Sequence, residues 1–399
     1  MNEIRLDYQG KKDEREILDS VSYAKTIRLG KNSAYISGDN FGVMSSLLAS
    51  GYSGSIDLIY IDPPYNTNQV FNVNDERVST ISRNGSIVAY SDDLKPFEYL
   101  EFIRERLILM RELLSEKGSI YLHIDCKMGH YVKIIMDEIF GAENFLNDIA
   151  RIKSNPKNFK RPAYGNQRDM VLFYAKKKGK NIFNNITQSL TEKEIELKFK
   201  KIDKDGRRYN TVPVHAPGET TNGETGGYWR DMLPPKGRHW RTNPKELDKL
   251  DAAGMIEWSK NGVPRIKKYA DEHNGKKIQD IWSFIDPAYP LYPTEKNLDM
   301  LKMIVQQSSN LDSIVMDCFA GSGSTLLAAE QTGRKWIGID QSDYSAKVVK
   351  ERFNKTDFDY VEFSSVKDKQ IKKESIDDEI AELSMTPNLQ SLAQARSAI

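Results

Sequence analysis

The sequence predicts an α/β protein built around a parallel sheet. Short apolar runs alternate with amphipathic stretches from residue 32 to about residue 150, and the alternation returns near residue 297. Buried parallel strands are typically continuous β-branched and apolar runs, and a helix usually connects each strand to the next. Between the two alternating parts, residues 181–285 are rich in Gly, Pro, Asn, Lys and Trp and follow no such pattern. We therefore expect one α/β core that is interrupted by an inserted domain.

Each predicted element follows from the spacing of its apolar residues. Strands are predicted at the short apolar runs 33–37, 56–61, 119–124, 313–316 and 336–339. Helices are predicted where apolar residues recur with helical spacing, at 41–49, 96–116, 130–140 and 298–307. The longest helix should end near Gly118, since glycine commonly follows the last helical turn. Residues 1–30 are polar and heavily charged, so we expect an arm or a poorly packed helix there.

Composition excludes several classes of protein. The chain has 58 Lys and Arg residues against 57 Asp and Glu residues, which excludes a uniformly basic nucleic-acid coat but not a local basic cleft. Two cysteines in 399 residues exclude a disulfide scaffold and a four-cysteine zinc site. The histidines show no metal-ligand spacing, so no metal is predicted. No apolar stretch approaches the roughly 18 residues of a membrane span, so we expect no membrane contact and a cytoplasmic location.

The first chemical motif is Asp62-Pro63-Pro64-Tyr65, which directly follows the predicted strand 56–61. Ligands of open α/β sheets bind outside the carboxyl ends of the strands. The prolines fix the backbone and donate no N–H groups, so the carbonyls of Asp62 and Pro63 can accept hydrogen bonds from a ligand. Together with the Asp62 carboxylate and the Tyr65 ring, they suit a planar group that carries an NH₂. The alternative is a simple turn after a strand, because Asp-Pro and Pro-Pro are common in turns.

The second motif is a glycine-rich loop at residues 317–325, between the strand 313–316 and a helix. It lacks the third glycine of the dinucleotide fingerprint and the Gly-Lys-Ser/Thr ending of a phosphate loop. Instead Asp317 precedes the glycines, and its charge would repel a pyrophosphate but suits an ammonium or sulfonium group. Asp340 ends the next strand, where a carboxylate can accept both hydroxyls of a ribose. The combination favours S-adenosylmethionine over NAD or ATP, the alternative being a helix start without a ligand.

Together these motifs resemble those of the amino-methylating DNA methyltransferases, in the permuted group whose catalytic motif precedes the cofactor motif. The resemblance rests on IDPPYNT (61–67), YPTEKN (292–297), MDCFAGSGST (316–325) and WIGID (336–340). The further stretches GSIYLHID and MDEIFGAENF make the chain most similar to the modification subunit of type III restriction–modification systems. Two departures are Tyr292 and Asn297, which stand where the family often has His and Pro.

The resemblance implies a Rossmann-like methyltransferase fold with a mostly parallel, seven-stranded sheet. It also implies five regions along the chain. These would be an N-terminal arm (1–30), the catalytic half of the core (31–180), an inserted target-recognition domain (181–285), the cofactor-binding half (286–366) and a C-terminal tail (367–399).

Roles for individual residues are implied in the same way. Asp62 and the Pro63 carbonyl, next to Pro64, would hold the target amine, while Tyr65 would stack on the base. The residues implied for S-adenosylmethionine are Asp39, Thr294, Lys296, Asp317, Phe319, Ala320, Gly321, Ser322, Gly323 and Asp340. Within that set, Asp340 would bind the ribose and Asp39 would lie near the adenine. Thr294 and Lys296 would border the methionine end of the cofactor.

Basic residues next to the predicted site indicate a DNA partner. Residues 151–180 hold ten basic residues and one acid, which is typical of a phosphate-contacting wall, with a solvated loop as the alternative. Arginines of the insertion are candidate base readers, since Arg commonly reads guanine edges. The predicted DNA contacts are Lys153, Lys157, Lys160, Arg161, Arg230, Arg238 and Arg241. The resemblance further implies double-stranded DNA as substrate, a homodimer, and a separate ATP-dependent restriction subunit as an optional partner.

Three alternatives remain open at this point. Asp before Pro-Pro resembles the adenine-N6 branch, whereas Ser is usual in the cytosine-N4 branch of the same fold. Similar sites methylate RNA or protein glutamine, although a large basic insertion favours a long polyanion. The third alternative is a non-catalytic DNA-recognition module of a nuclease assembly. Methylation at carbon 5 of cytosine is excluded, because its cysteine nucleophile typically follows proline, and Cys126 and Cys318 both follow aspartate.

Overall fold

The structure is a computed structural model that describes the chain in nine stretches. These are residues 4–30, 32–64, 70–74, 77–79, 87–91, 94–155, 162–220, 222–287 and 295–364, with the backbone alone at 70–74, 77–79 and 87–91. The chain divides into two compact units, which are Met1–Asn184 with Gln279–Ile399, and Asn185–Ile278. The second unit lies within the predicted insertion, 181–285. Among the described residues, no helix is both long enough and apolar enough to cross a membrane.

The described residues form nine α-helices, of which α2, α3, α4, α7 and α8 correspond to predicted helices. They are α1 (Glu14–Asp19), α2 (Asn40–Ala49), α3 (Pro96–Leu113), α4 (Gly129–Phe140), α5 (Glu192–Lys198), α6 (Pro244–Ala252), α7 (Leu298–Ser308), α8 (Ser324–Gln331) and α9 (Asp343–Arg352). Two helices near the site start at side-chain caps, where Asp39 accepts from Gly42 N and Asn297 accepts from Met300 N. Such caps satisfy backbone donors that have no partner inside the helix.

Twenty strands are present in the described residues. They are β1 (Ser33–Ser37), β2 (Ile56–Ile61), β3 (Val70–Asn74), β4 (Arg77–Ser79), β5 (Ile87–Ser91), β6 (Leu114–Ile124), β7 (Phe145–Ile152), β8 (Arg168–Ala175), β9 (Thr187–Gln188), β10 (Lys201–Ile202), β11 (Arg208–Pro213), β12 (His215–Pro217), β13 (Arg238–Trp240), β14 (Ile256–Trp258), β15 (Pro264–Tyr269), β16 (Lys276–Lys277), β17 (Ile281–Ser283), β18 (Ile314–Asp317), β19 (Lys335–Asp340) and β20 (Phe358–Glu362). All five predicted strands are found among them, with ends that differ by a few residues.

The first unit is built on a nine-stranded sheet in the order β17-β7-β8-β6-β2-β18-β19-β1-β20. Every neighbouring pair is parallel except the two that involve β8. The predicted α/β fold with a mostly parallel sheet is therefore confirmed, with nine strands where seven were expected. The two outermost strands, β17 and β20, are partly exposed, so they lack the continuous apolar run that marks a buried strand.

Two local expectations are wrong. Helix α3 ends at Leu113, and β6 begins at Leu114, so Gly118 lies inside a strand and does not end the helix. The N-terminal segment is packed, because Ile17 is buried in the core and Arg111 Nη2 lies 2.6 Å from Glu14 Oε1. Its polar residues find partners on α3, a helix whose buried charged residues were not visible in the apolar spacing.

The second unit contains a four-stranded antiparallel sheet in the order β10-β11-β15-β14. Its small core includes Trp229 and Trp240, whose rings are 5.8 Å apart and at 77° to each other. Both tryptophans lie in the tracts that the sequence proposed for target recognition, and both are used for packing. Trp258 of this unit is 37% exposed, whereas Trp282 of the first unit is buried.

Gly118 of the first unit offers a test of how closely strands β2 and β6 approach each other. A Cβ at Gly118 would lie 2.8 Å from the carbonyl oxygen of Ile56 on the neighbouring strand β2, too close for either backbone to accommodate without moving. We expect Gly118→Ala to lower the free energy of unfolding by about 1–3 kcal/mol, as overpacked cores do. Urea unfolding measures the change, with Glu116→Ala on the exposed part of the same strand as control. Equal stabilities of the two variants would contradict the close approach of β2 and β6.

Candidate active site

The candidate site lies where the chain leaves the middle of the sheet in two directions. Strands β2 and β18 are parallel neighbours, and β6 follows on one side while β19 follows on the other. Open α/β sheets bind ligands at such a switch point, outside the carboxyl ends of the strands. Asp62 directly follows β2, and Asp317 is the last residue of β18. The topology therefore brings the two predicted motifs, more than 250 residues apart in sequence, to one edge.

A cavity of about 440 Å³ opens at this edge, within the range of about 300–1,000 Å³ that is usual for ligand sites. It is lined by Asp39, Asn40, Tyr60, Asp62, Pro64, Phe102, Arg106, Glu295, Lys296, Leu301, Asp317, Cys318, Phe319, Ala320, Gly321, Ser322, Ser324, Thr325, Asp340, Gln341 and Ser342. All of these residues belong to the first unit. Acidic side chains and aromatic rings therefore share one concave surface.

The glycine loop is held in shape by Asp340. Its Oδ2 accepts a hydrogen bond from Gly321 N at 2.8 Å, and its Oδ1 accepts one from Ser342 N at 2.9 Å. Gly321 and Gly323 have φ of 49° and 72°, a left-handed conformation that favours glycine. Burial raises the pKa of Asp340, and its backbone hydrogen bonds oppose that rise. Because a carboxylate has about four lone-pair positions, Asp340 can still accept from a ligand hydroxyl.

Asp317 lies at the base of the loop and is almost fully buried. Its pKa is raised to about 7, mainly by burial and also by the nearby Asp62 and Asp340 carboxylates. The hydrogen bonds from Thr325 and Phe319 N act in the opposite direction. Opposite charge nearby favours the ionised form of a carboxyl group. A cationic ligand group at this position would therefore be attracted to Asp317 and would lower its pKa again.

Asp62 is ion-paired at the rim of the same cavity. Its Oδ2 lies 2.6 Å from Lys296 Nζ, and its Oδ1 lies 4.0 Å from His123 Nδ1. Both Asp62 and Lys296 are largely buried, so their pair is only weakly screened by water. The acid that the sequence assigned to the target amine and the lysine assigned to the cofactor are thus direct partners.

Behind Asp62, a buried polar cluster joins β2, β6 and β8. His123 is completely buried, with Nδ1 2.8 Å from the Tyr60 hydroxyl and Nε2 3.3 Å from Asp169 Oδ2. Burial lowers the pKa of His123, with the Asp169 hydrogen bond in opposition. Burial would raise the pKa of Asp169, but hydrogen bonds from His123 and Lys153 outweigh it, so that pKa is lowered. A neutral His123 therefore donates from Nε2 to an ionised Asp169 and accepts at Nδ1 from Tyr60.

The structure brings most of the predicted cofactor residues together. Asp39, Lys296, Asp317, Phe319, Ala320, Gly321, Ser322 and Asp340 line the cavity, as do Asp62 and Pro64 of the first motif. Pro63 is buried outside the lining, and Gly323 turns the loop into α8. Tyr65, Thr294, Lys157, Lys160 and Arg161 lie outside the described residues. The binding roles of all these residues stay predictions.

The four remaining predicted DNA contacts already have partners within the protein, and these partners are of two kinds. Lys153 Nζ is 2.6 Å from Asp169 Oδ1, and Arg230 Nη1 is 2.5 Å from Asp251 Oδ2. Arg238 donates to His215 Nδ1 at 3.2 Å, and Arg241 donates to the carbonyl of Pro213 at 2.8 Å; both are exposed. Lys153 and Arg230 would therefore have to give up ion pairs in order to contact DNA.

Helix α3 provides a wall of the cavity that was not predicted from the sequence. Arg106 Nη2 donates to Asp39 at 3.0 Å, and its guanidinium lies 3.6 Å from the centre of the Phe102 ring. Burial lowers the pKa of Arg106, although the nearby Asp39 opposes this. An arginine on an amphipathic helix usually faces water, so nothing in the sequence indicated this role. Asn40, which accepts from Arg106 and donates to the Cys318 carbonyl, was signalled only by its position after Asp39.

The chain matches known proteins over most of its length. The family model described as DNA methylase (N6_N4_Mtase) matches residues 56–351. The type II methyltransferase M.EcaI of Enterobacter cloacae is 41% identical over 366 residues, which cover 88% of this chain and 77% of that protein. The type II methyltransferase M.KpnI of Klebsiella pneumoniae is 27% identical, over 78% of this chain and 77% of that protein.

Similarity extends to a type III protein as well. The StyLTI Mod subunit of Salmonella typhimurium is 26% identical, over 79% of this chain and 52% of that protein. The chain thus spans about half the length of this Mod subunit. The resemblance to type III modification subunits is confirmed, and it is accompanied by a higher identity to a type II enzyme.

The chain therefore belongs to the N6/N4 DNA methylase family, and the predicted class of enzyme, a DNA methyltransferase, is confirmed. The cavity fits the predicted cofactor, S-adenosylmethionine. Asp317 would offer a buried carboxylate to its cationic end and Asp340 would offer acceptor oxygens to its ribose, while the Phe102 and Phe319 rings add apolar surface to the cavity. Among the described residues, no group of three or more His, Cys, Asp or Glu side chains is arranged to hold a metal ion.

The pKa of Asp317 predicts how cofactor affinity depends on pH. A carboxyl group with a pKa of about 7 is protonated below that pH and then no longer attracts the cofactor's ammonium group. The ratio of S-adenosylmethionine affinities between the wild type and Asp317→Asn should fall by up to about tenfold per pH unit below about 7. Calorimetric titrations from about pH 8 to about pH 6 measure the ratio, in which the titration of the ligand itself cancels. A constant ratio would show that Asp317 does not face the ammonium group.

Proposed function

We propose that this protein is a site-specific adenine-N6 DNA methyltransferase that uses S-adenosylmethionine on an adenine turned out of the double helix. The observation that carries this proposal is the position of Asp62, Asp317 and Asp340 along one cavity. Asp62 offers acceptors to an amine, and the other two offer acceptors to an ammonium group and a ribose. An amine-binding acid and a cofactor loop on one surface meet the main requirement of methyl transfer, which is the alignment of two bound reactants.

The cofactor supplies an activated methyl group when it is bound. The amine of adenine is a poor nucleophile, because its lone pair is delocalised into the ring. Hydrogen bonds from that amine to the Asp62 carboxylate and the Pro63 carbonyl favour a tetrahedral nitrogen, whose lone pair can then point at the methyl group. Positioning supplies much of the rate gain in such a reaction. The target base must leave the stack first, at a cost of a few kcal/mol, roughly.

Two observations support adenine-N6 as the acceptor, and a third supports an exocyclic amine over carbon 5 of cytosine. Asp62 stands before Pro-Pro, which resembles the adenine branch more than the cytosine-N4 branch. One relative is a type III Mod subunit, the group that the sequence resembles in this motif. Carbon-5 methylation of cytosine would need a reactive thiol, and burial raises the pKa of Cys318 well above its usual value. Such a thiol is inert as a nucleophile.

For DNA binding, we favour Arg238 and Arg241, which are exposed on the second unit. Lys153 and Arg230 stay candidates that would exchange a carboxylate for a phosphate. A homodimer would let a second copy of the insertion read neighbouring bases. The enzyme would act in the cytoplasm as part of a restriction–modification system. No Gly-Lys pair of the sequence is followed by Ser or Thr, so cleavage would need a separate ATP-dependent subunit.

Removal of the proposed amine acceptor tests the mechanism. We expect Asp62→Ala to slow methyl transfer by at least about 100-fold, because the amine loses its alignment. Cofactor binding should persist, since Asp317 and Asp340 are unchanged. Single-turnover transfer of a labelled methyl group to plasmid DNA measures the rate, and calorimetry measures the binding. Near-normal turnover in this variant would rule out Asp62 as the acceptor.

The product and the division of labour need a separate experiment. We expect DNA from cells that express the chain to carry N6-methyladenine at one recurrent sequence, as found by sequencing of modified bases. The purified protein with unmethylated plasmid, Mg²⁺ and ATP should leave the plasmid uncut. If the product were N4-methylcytosine, the acceptor base would be cytosine and the proposed acceptor, adenine, would be wrong. Specific double-strand cleavage by this chain alone would contradict the need for a second subunit.

A further inference from the structure

Positive charge is scarce in the cavity. Among the described residues that line it, five are acids and two are cations. The acids are Asp39, Asp62, Glu295, Asp317 and Asp340, and the cations are Arg106 and Lys296. S-adenosylmethionine brings an ammonium and a sulfonium group, which suit the acids, but it also brings a carboxylate. That carboxylate needs a cation in a site where five of the seven charged lining residues are acids.

Arg106 is committed to the wall of the cavity. Its Nη2 donates to Asp39, its Nε to Asn40 and its Nη1 to the Phe102 carbonyl, at distances of 2.5 to 3.0 Å. The guanidinium also stacks on the Phe102 ring. Movement of Arg106 towards a ligand would leave the Asn40 side chain without this donor and would open the wall. Lys296 is therefore the better cation for the cofactor carboxylate.

Lys296 is at the same time the partner of Asp62, at 2.6 Å. Asp62 must accept from the target amine, and one of its oxygens is engaged by this lysine. The cofactor carboxylate and Asp62 would thus compete for the ammonium group of Lys296. Lysine has three N–H donors on a flexible stem, so it can shift between two carboxylates or bridge them.

The backbone directly after this lysine is anchored. Asn297 caps α7, and its backbone N–H donates to Asp286 Oδ1 at 3.1 Å. Asp286 is in turn bound by Arg151 of β7, whose Nη1 lies 2.9 Å away. Asp62 is fixed between the buried strand β2 and two prolines. When Lys296 shifts between the two carboxylates, its side chain therefore moves while the backbones of Lys296 and Asp62 stay in place.

We propose that Lys296 is a positioning residue shared between the cofactor carboxylate and Asp62, so that cofactor binding releases an oxygen of Asp62 for the target amine. This inference rests on the proposed function. Its consequence is a positive coupling between the two ligands that depends on the amino-acid part of the cofactor. Coupling of this kind is reciprocal, so the target base must also strengthen cofactor binding.

Two cofactor fragments separate this idea from simple occupancy of the site. S-adenosylhomocysteine keeps the carboxylate, and 5′-methylthioadenosine lacks the whole amino-acid part. The DNA probe is a duplex with the sequence that is found methylated, which keeps adenine at the target position and carries 2-aminopurine directly beside it. The fluorescence of 2-aminopurine rises when the neighbouring adenine leaves the stack. We expect saturating S-adenosylhomocysteine to strengthen binding of this duplex by at least about fivefold, and 5′-methylthioadenosine to have little effect.

Variants then assign the effect to the lysine. In Lys296→Met the two fragments should affect the duplex equally, whereas Lys302→Met on α7 should behave as the wild type. Asp62→Ala releases the lysine permanently, so it should bind S-adenosylhomocysteine several-fold more tightly and 5′-methylthioadenosine as before. This second variant keeps the test informative if Lys296→Met fails to fold.

The outcomes are distinct. Equal effects of the two fragments on the wild type, or a difference that survives in Lys296→Met, would overturn the shared lysine. Unchanged affinity of Asp62→Ala for S-adenosylhomocysteine would also overturn it. Failure of the proposed function is a different result, namely that the wild type methylates no DNA with S-adenosylmethionine. The wild-type methylation assay, performed first, separates the two.

Discussion

The parallel pairing of β2 with β18 is the constraint on which the site depends. Val315 and Met316 of β18 lie beside Leu58 and Ile59 of β2, in the middle of the sheet. The chain continues to opposite sides from these two strands, so their carboxyl ends open onto a crevice that no connection has to cover. Asp62 and Asp317 reach the same crevice only because these strands are neighbours. The cavity and the glycine loop are built on that pairing.

Buried charge is the second organising feature of the first unit. Asp62 faces Lys296, Asp169 faces Lys153, and Asp286 faces Arg151, which is completely buried in β7. Removal of one partner of a buried ion pair is costly, because it leaves an uncompensated charge in a medium that solvates it poorly. His123 adds no charge to this balance when neutral. The catalytic edge is thus supported by pairs that fix side-chain positions, in line with a reaction that relies on alignment.

The second unit combines a buried tryptophan core with exposed arginines within one stretch of sequence. Its tryptophans supply the core, and arginines beside them in sequence, such as Arg238 and Arg241, stay exposed. Trp240 and Arg241 are neighbours in the chain, yet Trp240 is buried in the core and Arg241 is exposed.

The sequence by itself determined the α/β class, the two motifs and ten of the 21 residues that line the cavity, because each of these depends on local patterns. An apolar run marks a buried strand, and an acid or a glycine loop at its end marks a ligand edge. Only the tertiary structure decided the partners of those residues. The Asp62–Lys296 pair, the wall formed by Arg106 and the burial of Arg151 join segments far apart in the chain. Charged residues look solvent-exposed in a linear sequence, and their burial is decided by what the fold packs against them.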